Sequence, residues 1–279
     1  MLRPIPFPVP FAPFGTARRL ARRLRSALEH GELELHYQPK VQVDTRRATG
    51  VEALLRWRDP DLGLVPPDRF IPFVEHHRVM EDVGFHVLDC ALRQAADWRR
   101  AGAPLGVSVN VSPGSLLDAE LPATVGRALE RSGVPPDGLV LEITETAVLQ
   151  DLERCAAILR EIAGRGIGIS LDDFGTGHSS LTRLLQLPID ELKIDRVFVR
   201  DMVRDSAGSA VVFALVALAQ DLGHRVVAEG VEDAETLDRL ADLGCDEAQG
   251  YHICRPVPPP ELPDWVLESA RARPAPIAC

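Results

Sequence analysis

From Leu33 onward the chain repeats one pattern: a short run of Val, Ile and Leu, then a longer stretch whose apolar residues return every three or four positions. The short runs begin near Leu33, Ala48, Gly106, Leu139, Gly166, Ile189, Arg225 and Glu247 and read as strands. The longer stretches predict helices over 85–100, 121–132, 152–163, 180–186, 209–222 and 234–243. Gly102, Gly133, Gly164, Gly223 and Gly244 sit just past helix ends, where a left-handed cap is expected.

Strands separated by helices over about 240 residues predict an α/β fold, a (β/α)8 barrel of the TIM type rather than an open sheet. One connection departs from the rule. Between the first two strands lies only Asp44-Thr45-Arg46-Arg47-Ala48-Thr49-Gly50, whereas a parallel crossover needs about a dozen residues. These two strands are therefore expected to form a hairpin, giving a modified barrel with an antiparallel first strand.

Ahead of the barrel, residues 1–15 alternate Pro with apolar residues, and Arg18, Arg19, Arg22, Arg23 and Arg25 follow. This reads as a Pro-rich arm and a basic amphipathic helix with Leu20, Leu24 and Leu28 on its apolar side. The expected division is arm and linker helix over 1–26, barrel over 27–262 and a C-terminal tail over 263–279. The arm and helix are a candidate hook for an upstream regulatory partner or a membrane surface; the plainer reading is a solvated linker.

Composition narrows the function. Hydrophobic residues at 46% and charged residues at 26% suit a globular chain. Asp plus Glu (41) exceeds Lys plus Arg (31), a net charge of -10 that argues against a duplex nucleic acid partner. The longest apolar run, Ala210 to Ala219, is half a membrane span, so no transmembrane segment is expected. The five cysteines lack a Cys-x-x-Cys pair, which suits reduced thiols in a cytoplasmic protein and gives no zinc site. Five prolines within residues 4–13 break the apolar stretch that a signal peptide would need.

In a barrel of this kind chemistry sits at the C-terminal ends of the strands. Glu52, Asn110, Glu142, Glu145, Asp172, Asp173, Lys193, Asp195, Glu229, Glu232 and Gln249 fall there, framed by Leu, Ile and Val. Five carboxylates at one rim (Glu52, Glu142, Asp172, Asp173 and Glu229) cost too much to bury without compensation, and Lys193 alone cannot balance them. Divalent cations can. Hard oxygen ligands with one carboxamide suit Mg²⁺ or Mn²⁺, and the adjacent Asp172-Asp173 can bridge two ions about 4 Å apart. Two cations beside a lysine point to phosphodiester hydrolysis, with Lys193 orienting the attacking water or taking its proton and Arg56 neutralising a phosphate. Each residue alone has a plainer explanation: Asp-Asp before Phe-Gly-Thr-Gly makes a turn, Asn110 caps a segment, and Glu145 and Glu232 brace loops.

Together the motifs resemble a known family. His-Tyr-Gln-Pro-Lys-Val (36–41), Glu-Ala-Leu-Leu-Arg-Trp (52–57), Asn-Val-Ser (110–112) and Glu-Ile-Thr-Glu (142–145) are similar to those of the EAL-domain cyclic-di-GMP phosphodiesterases. Asp-Asp-Phe-Gly-Thr-Gly (172–177), Leu-Lys-Ile-Asp (192–195), Ala-Glu-Gly-Val-Glu (228–232) and Gln-Gly-Tyr (249–251) extend the resemblance. It implies hydrolysis of cyclic di-GMP to linear pGpG with two Mg²⁺ or Mn²⁺ ions per active site. It further implies metal ligation by Glu52, Asn110, Glu142 and Asp172 at the first ion and by Asp172 and Asp173 at the second. Lys193 and Glu229 then serve the water, Glu145 steadies the loop after Asp173, and Gln38, Arg56, Asp195 and Gln249 contact substrate. A homodimer pairing near that loop is also implied. His178 departs from the aromatic residue common at its place. A module that binds the nucleotide without turnover is the alternative; such relatives lack metal ligands or the lysine, which this chain retains.

Overall fold

The computed structural model describes residues 16–75, 77–175 and 186–271. In chain order its strands are β1 (Leu33–Gln42), β2 (Ala48–Asp59), β3 (Gly63–Val65), β4 (Gly106–Asn110), β5 (Leu139–Thr144), β6 (Gly168–Phe174), β7 (Glu191–Ile194), β8 (Arg225–Ala228) and β9 (Glu247–Ala248). Eight of them close a barrel in the order β1-β2-β4-β5-β6-β7-β8-β9, while β3 lies outside it, paired only to β2. β1 runs antiparallel to both of its neighbours and every other pair in the ring is parallel. The short hairpin connection thus has the consequence expected of it.

Six strands begin where the pattern places them, and β6 and β7 begin two residues later, at Gly168 and Glu191. β3 is not legible in the sequence, because three residues carry no readable periodicity. The helices Leu121–Ser132 and Leu152–Ala163 match their predicted bounds. The one predicted to start at Phe85 starts at Val79, its added turn burying Val79, Met80 and Val83. Ser206–Asp221 and Ala234–Asp242 follow the pattern closely. The helix expected over 180–186 lies outside the described residues up to 185, as do the Pro-rich arm up to residue 15 and His178. Four of the five expected glycine caps are left-handed; Gly164 is right-handed (φ -61°), and Gly166 takes that conformation two residues later.

Strand alternation sets the layers. Val107, Val109, Leu141, Ile143, Ile169, Leu171, Leu192, Ile194 and Val226 are buried in the apolar core with the surrounding helices. The alternate residues (Lys40, Ser108, Glu142, Ser170, Glu191 and Lys193) meet one another across strands inside the barrel. Barrel interiors of this type ordinarily hold bulky aliphatic side chains; here the bore is mostly polar, Val140 and Val227 sharing the inward register, and most of the aliphatic packing lies outside it.

The basic segment forms the helix Ala17–His30, with Leu20 and Leu24 fully buried. It packs against the helices Ile71–Val74 and Val79–Arg100. Arg23 pairs with the buried carboxylate of Asp59 and lies over the Trp57 ring. The reading of a solvated spacer is therefore corrected: an apolar stripe this complete is a packed face. Beyond Pro263 the helix Asp264–Arg271 buries Val266 and Ala270 and contacts β2.

Candidate active site

The parallel strands deliver Glu52, Asn110, Glu142, Asp172, Lys193 and Glu229 to one end of the bore. At its centre stands Lys193, which exposes none of its surface. Its Nζ lies 2.6 Å from Glu229 Oε1, 2.9 Å from Glu142 Oε2, 3.4 Å from Glu52 Oε2 and 3.5 Å from Asp172 Oδ1. Burial alone would drive this ammonium toward neutrality, but Asp172, Glu142, Glu229 and Glu52 outweigh burial and hold it well above the usual lysine range.

Glu52 is held from three sides. Asn110 Nδ2 donates to Oε1 at 2.9 Å, and Gln249 Nε2 donates to Oε2 at 2.7 Å, the atom that also faces Lys193. Burial raises its carboxyl, yet Lys193 and these two amides bring it below its ordinary value. Gln249 is fixed in turn through Gln38 Oε1 at 3.0 Å, and Gln38 Nε2 donates to the Cys254 carbonyl at 2.9 Å.

Glu142 and Glu229 behave oppositely. Burial, followed by the charge of Glu52, pushes Glu142 up to about 8. Burial, offset in part by Lys193, together with Asp172 and Glu52, pushes Glu229 up to about 8 as well. Burial and the neighbouring Asp172 push Asp173 up to about 6. These shifts mark a site holding more negative charge than its lysine neutralises. One oxygen of the cluster, Glu142 Oε1, is buried with no hydrogen-bond partner among the described residues.

Asp173 has a left-handed backbone (φ 57°), where the β6–β7 register also shifts between Leu171 and Phe174. Asp tolerates this region better than most residues, and the twist breaks the strand's alternation so that both adjacent acids stay near the mouth. Asp173 N donates to Asp172 Oδ1 at 2.9 Å. A cleft of about 260 Å³ opens above, lined by Gln38, Glu52, Asp172, Glu229, Gln249 and Tyr251 among others.

The remaining candidates sit apart from that wall. Arg56 is half-buried and donates to the Leu55 carbonyl at 2.8 Å. Asp195 caps the helix Arg196–Val199, accepting from Val197 N at 2.7 Å. Glu145, buried, begins the helix Glu145–Val148; the loop it was expected to steady lies outside the described residues at 176–185. Lys193 is not the only interior cation, which corrects the expectation of a lone lysine. Lys40 on β1 has its Nζ 3.9 Å from Glu142 Oε1. Lys40, Ser108, Ser170 and Glu191 lie below the strand ends where the sequence places the chemistry; the signal for them is the two-residue step from Gln38 to Lys40 and from Glu191 to Lys193.

The donors suit a hard divalent cation: carboxylate oxygens, one carboxamide and an orphaned buried oxygen. Among the described residues no three acidic or imidazole side chains already stand in a metal-holding arrangement, because four carboxylates converge on the Lys193 ammonium instead.

The sequence profile of the EAL domain matches residues 21–256, most of the chain. The chain belongs to the EAL domain family. It is 43% identical over 245 residues to the bifunctional diguanylate cyclase/cyclic di-GMP phosphodiesterase MucR of Pseudomonas aeruginosa, covering 88% of this chain and 36% of that protein. To cyclic di-GMP phosphodiesterase PA2567 of the same organism it is 40% identical over 232 residues, covering 83% of this chain and 40% of the relative. The EAL chain thus spans two fifths or less of these curated relatives. A solved structure described as the PaMucR phosphodiesterase in complex with c-di-GMP aligns with a TM-score of 0.84 at 43% identity, covering 88% of this chain and 100% of that one. The EAL enzyme Bd1971, in its cAMP- and cyclic-di-GMP-bound form, aligns with a TM-score of 0.84 at 31% identity over 90% of this chain and 69% of its own. No helix among the described residues is long and apolar enough to cross a membrane.

Proposed function

We propose that this EAL domain is a metal-dependent phosphodiesterase that hydrolyses cyclic di-GMP to linear 5'-pGpG. The observation that carries the reading is the ring of four carboxylates around fully buried Lys193, opening into the cleft beneath Gln249 and Tyr251. Support comes also from the c-di-GMP complex of the PaMucR phosphodiesterase, matched over the whole of that chain.

In this reading Glu52, Asn110, Glu142, Asp172 and Asp173 hold two Mg²⁺ or Mn²⁺ ions, which when bound polarise the phosphoryl group and lower the pKa of the attacking water. Lys193, held as an ammonium, orients that water, and Glu229, 2.6 Å from it, accepts the proton; Glu229, one-fifth exposed, is the member of the pair nearer solvent. Gln249 and Asn110 keep Glu52 in place through the two amide hydrogen bonds. Gln38 and Arg56 contact the substrate, the guanidinium meeting a phosphate. Asp195 acts one step removed, through its side-chain hydrogen bond with Asp173, and Glu145 steadies the loop that follows Asp173. The homodimer belongs to the same reading: Val197 and Phe213 are 70% and 57% exposed on neighbouring helices, where a second copy would cover them.

The experiment is direct. Purified protein with cyclic di-GMP and Mn²⁺ yields pGpG by chromatography, and Glu52→Ala yields none. No product at any metal concentration rejects the enzyme; bound nucleotide recovered unchanged identifies binding without turnover.

A further inference from the structure

Below the carboxylates of the mouth the bore holds Lys40, 4% exposed. Its Nζ donates to Ser108 Oγ at 2.9 Å and to Glu191 Oε1 at 3.0 Å. Glu191 is fixed as well: Ser170 Oγ donates to Oε1 at 2.9 Å, and Arg225 Nη2 lies 3.5 Å from Oε2 at the bottom rim. An ammonium has three donors. Ser108 and Glu191 take two, and Glu142 Oε1, 3.9 Å away, is the next acceptor. That oxygen is one of two buried side-chain oxygens with no hydrogen-bond partner among the described residues, the other being Gln249 Oε1, while its twin Oε2 accepts from Lys193 at 2.9 Å. Signs therefore alternate from the bottom rim to the mouth: Arg225, Glu191, Lys40, Glu142, Lys193, and then Glu52, Asp172 and Glu229.

We infer that Lys40 is a positioning residue for the metal-binding carboxylate Glu142, fixing Oε1 from below while Lys193 fixes Oε2 from above. The inference rests on the reading of the mouth as a metal site. Two features favour it over a purely architectural role. Lys40 is anchored by partners on β4 and β7, so its charge cannot swing away from Glu142. The bore also gains nothing in packing from an ammonium at this depth, where an aliphatic side chain fills space without a desolvation cost. Groups that orient a metal-ligating side chain typically change metal affinity by about 10- to 100-fold when removed.

The test is Mn²⁺ titration of the metal-free full chain by calorimetry, with the melting temperature measured in parallel. Lys40→Gln keeps a polar amide inside the bore but removes the charge facing Glu142. Lys40→Met with Glu191→Gln removes the lysine together with the acid it would otherwise strand. Both variants are expected to bind Mn²⁺ about tenfold more weakly than the parent, with the half-saturating Mn²⁺ for hydrolysis raised to match and the KM for nucleotide at saturating Mn²⁺ unchanged. A structural role predicts a lower melting temperature with unaltered Mn²⁺ affinity, and that result in either folded variant overturns the inference. A parent chain that takes up no Mn²⁺ overturns the metal reading itself, an outcome separate from a parent that binds beside variants that bind equally well.

Discussion

Glu142 Oε2 and Lys193 Nζ stand 2.9 Å apart, and neither side chain exposes any of its surface. Replacing Lys193 by Met leaves Glu142, Glu52, Asp172 and Glu229 without the cation they share. The metal-free variant is expected to lose about 3 kcal/mol of stability at pH 8, less at pH 6, where the carboxylates take up protons instead. Mn²⁺ should return part of the loss, while hydrolysis falls at least about 100-fold. Urea unfolding in chelator and in Mn²⁺ checks the first two expectations; equal midpoints for parent and variant in chelator contradict them.

The raised carboxyls set a pH dependence. In the metal-free folded protein Glu142 and Glu229 keep their protons up to about 8, whereas an unfolded chain releases them near 4.5. Between those values the folded state binds more protons, so the stability these two groups contribute declines as pH rises. A cation must displace the same protons, so Mn²⁺ affinity should climb from pH 6 to 8 and level off above. Calorimetry in buffers of different ionisation heat reads the protons released; a flat profile would exclude the assignment.

Gln249→Leu removes the 2.7 Å hydrogen bond to Glu52 and the link to Gln38. Loosening this carboxylate should cut kcat/KM about 10- to 100-fold. Unchanged steady-state kinetics would leave Gln249 without its role.

Beside it, Gly250 runs against the neighbouring loop. A methyl there would overlap the Val231 backbone, so Gly250→Ala must displace one of the two loops. About 1–3 kcal/mol of stability and most of the activity should go, as seen by thermal melting and product assay.

The N-terminal helix offers a test by stability alone. Leu24→Ala should cost about 2–5 kcal/mol. Arg23→Ala leaves the buried Asp59 carboxylate, among the described residues, with the amides of Asp61 and Leu62 and should cost about 1–3 kcal/mol. Arg22→Ala, on the exposed face, should stay within about 0.5 kcal/mol. A urea midpoint for Leu24→Ala equal to that of the parent would contradict the packing described for this helix.

Much of this architecture can be read from residue order. The seven residues after Val43 are too few for a crossover, and β1 is antiparallel for that reason. The strand-end acids are visible because a carboxylate among Val, Ile and Leu needs a cause. What stays hidden depends on partners distant in sequence. Lys40 looks like an ordinary surface lysine until β1 closes the barrel and brings it to Glu191, 151 residues away. The twist at Asp173 is equally silent, since Asp-Asp before Phe-Gly reads as any turn. The burial of Leu20 and Leu24 depends on helices more than 40 residues later, so the local pattern shows a stripe but not what covers it.

A barrel with ions along its axis has little aliphatic filling, and most of its cohesion comes from the sleeve between strands and helices. The two tasks are thereby assigned to opposite faces of the same strands. Exchanging an inward acid or lysine changes the reactivity of the duct and leaves the hydrophobic jacket intact, so loss of catalysis need not entail loss of shape. A descendant that kept the jacket and discarded the ions would remain a well-formed vessel, free to be recruited for another use.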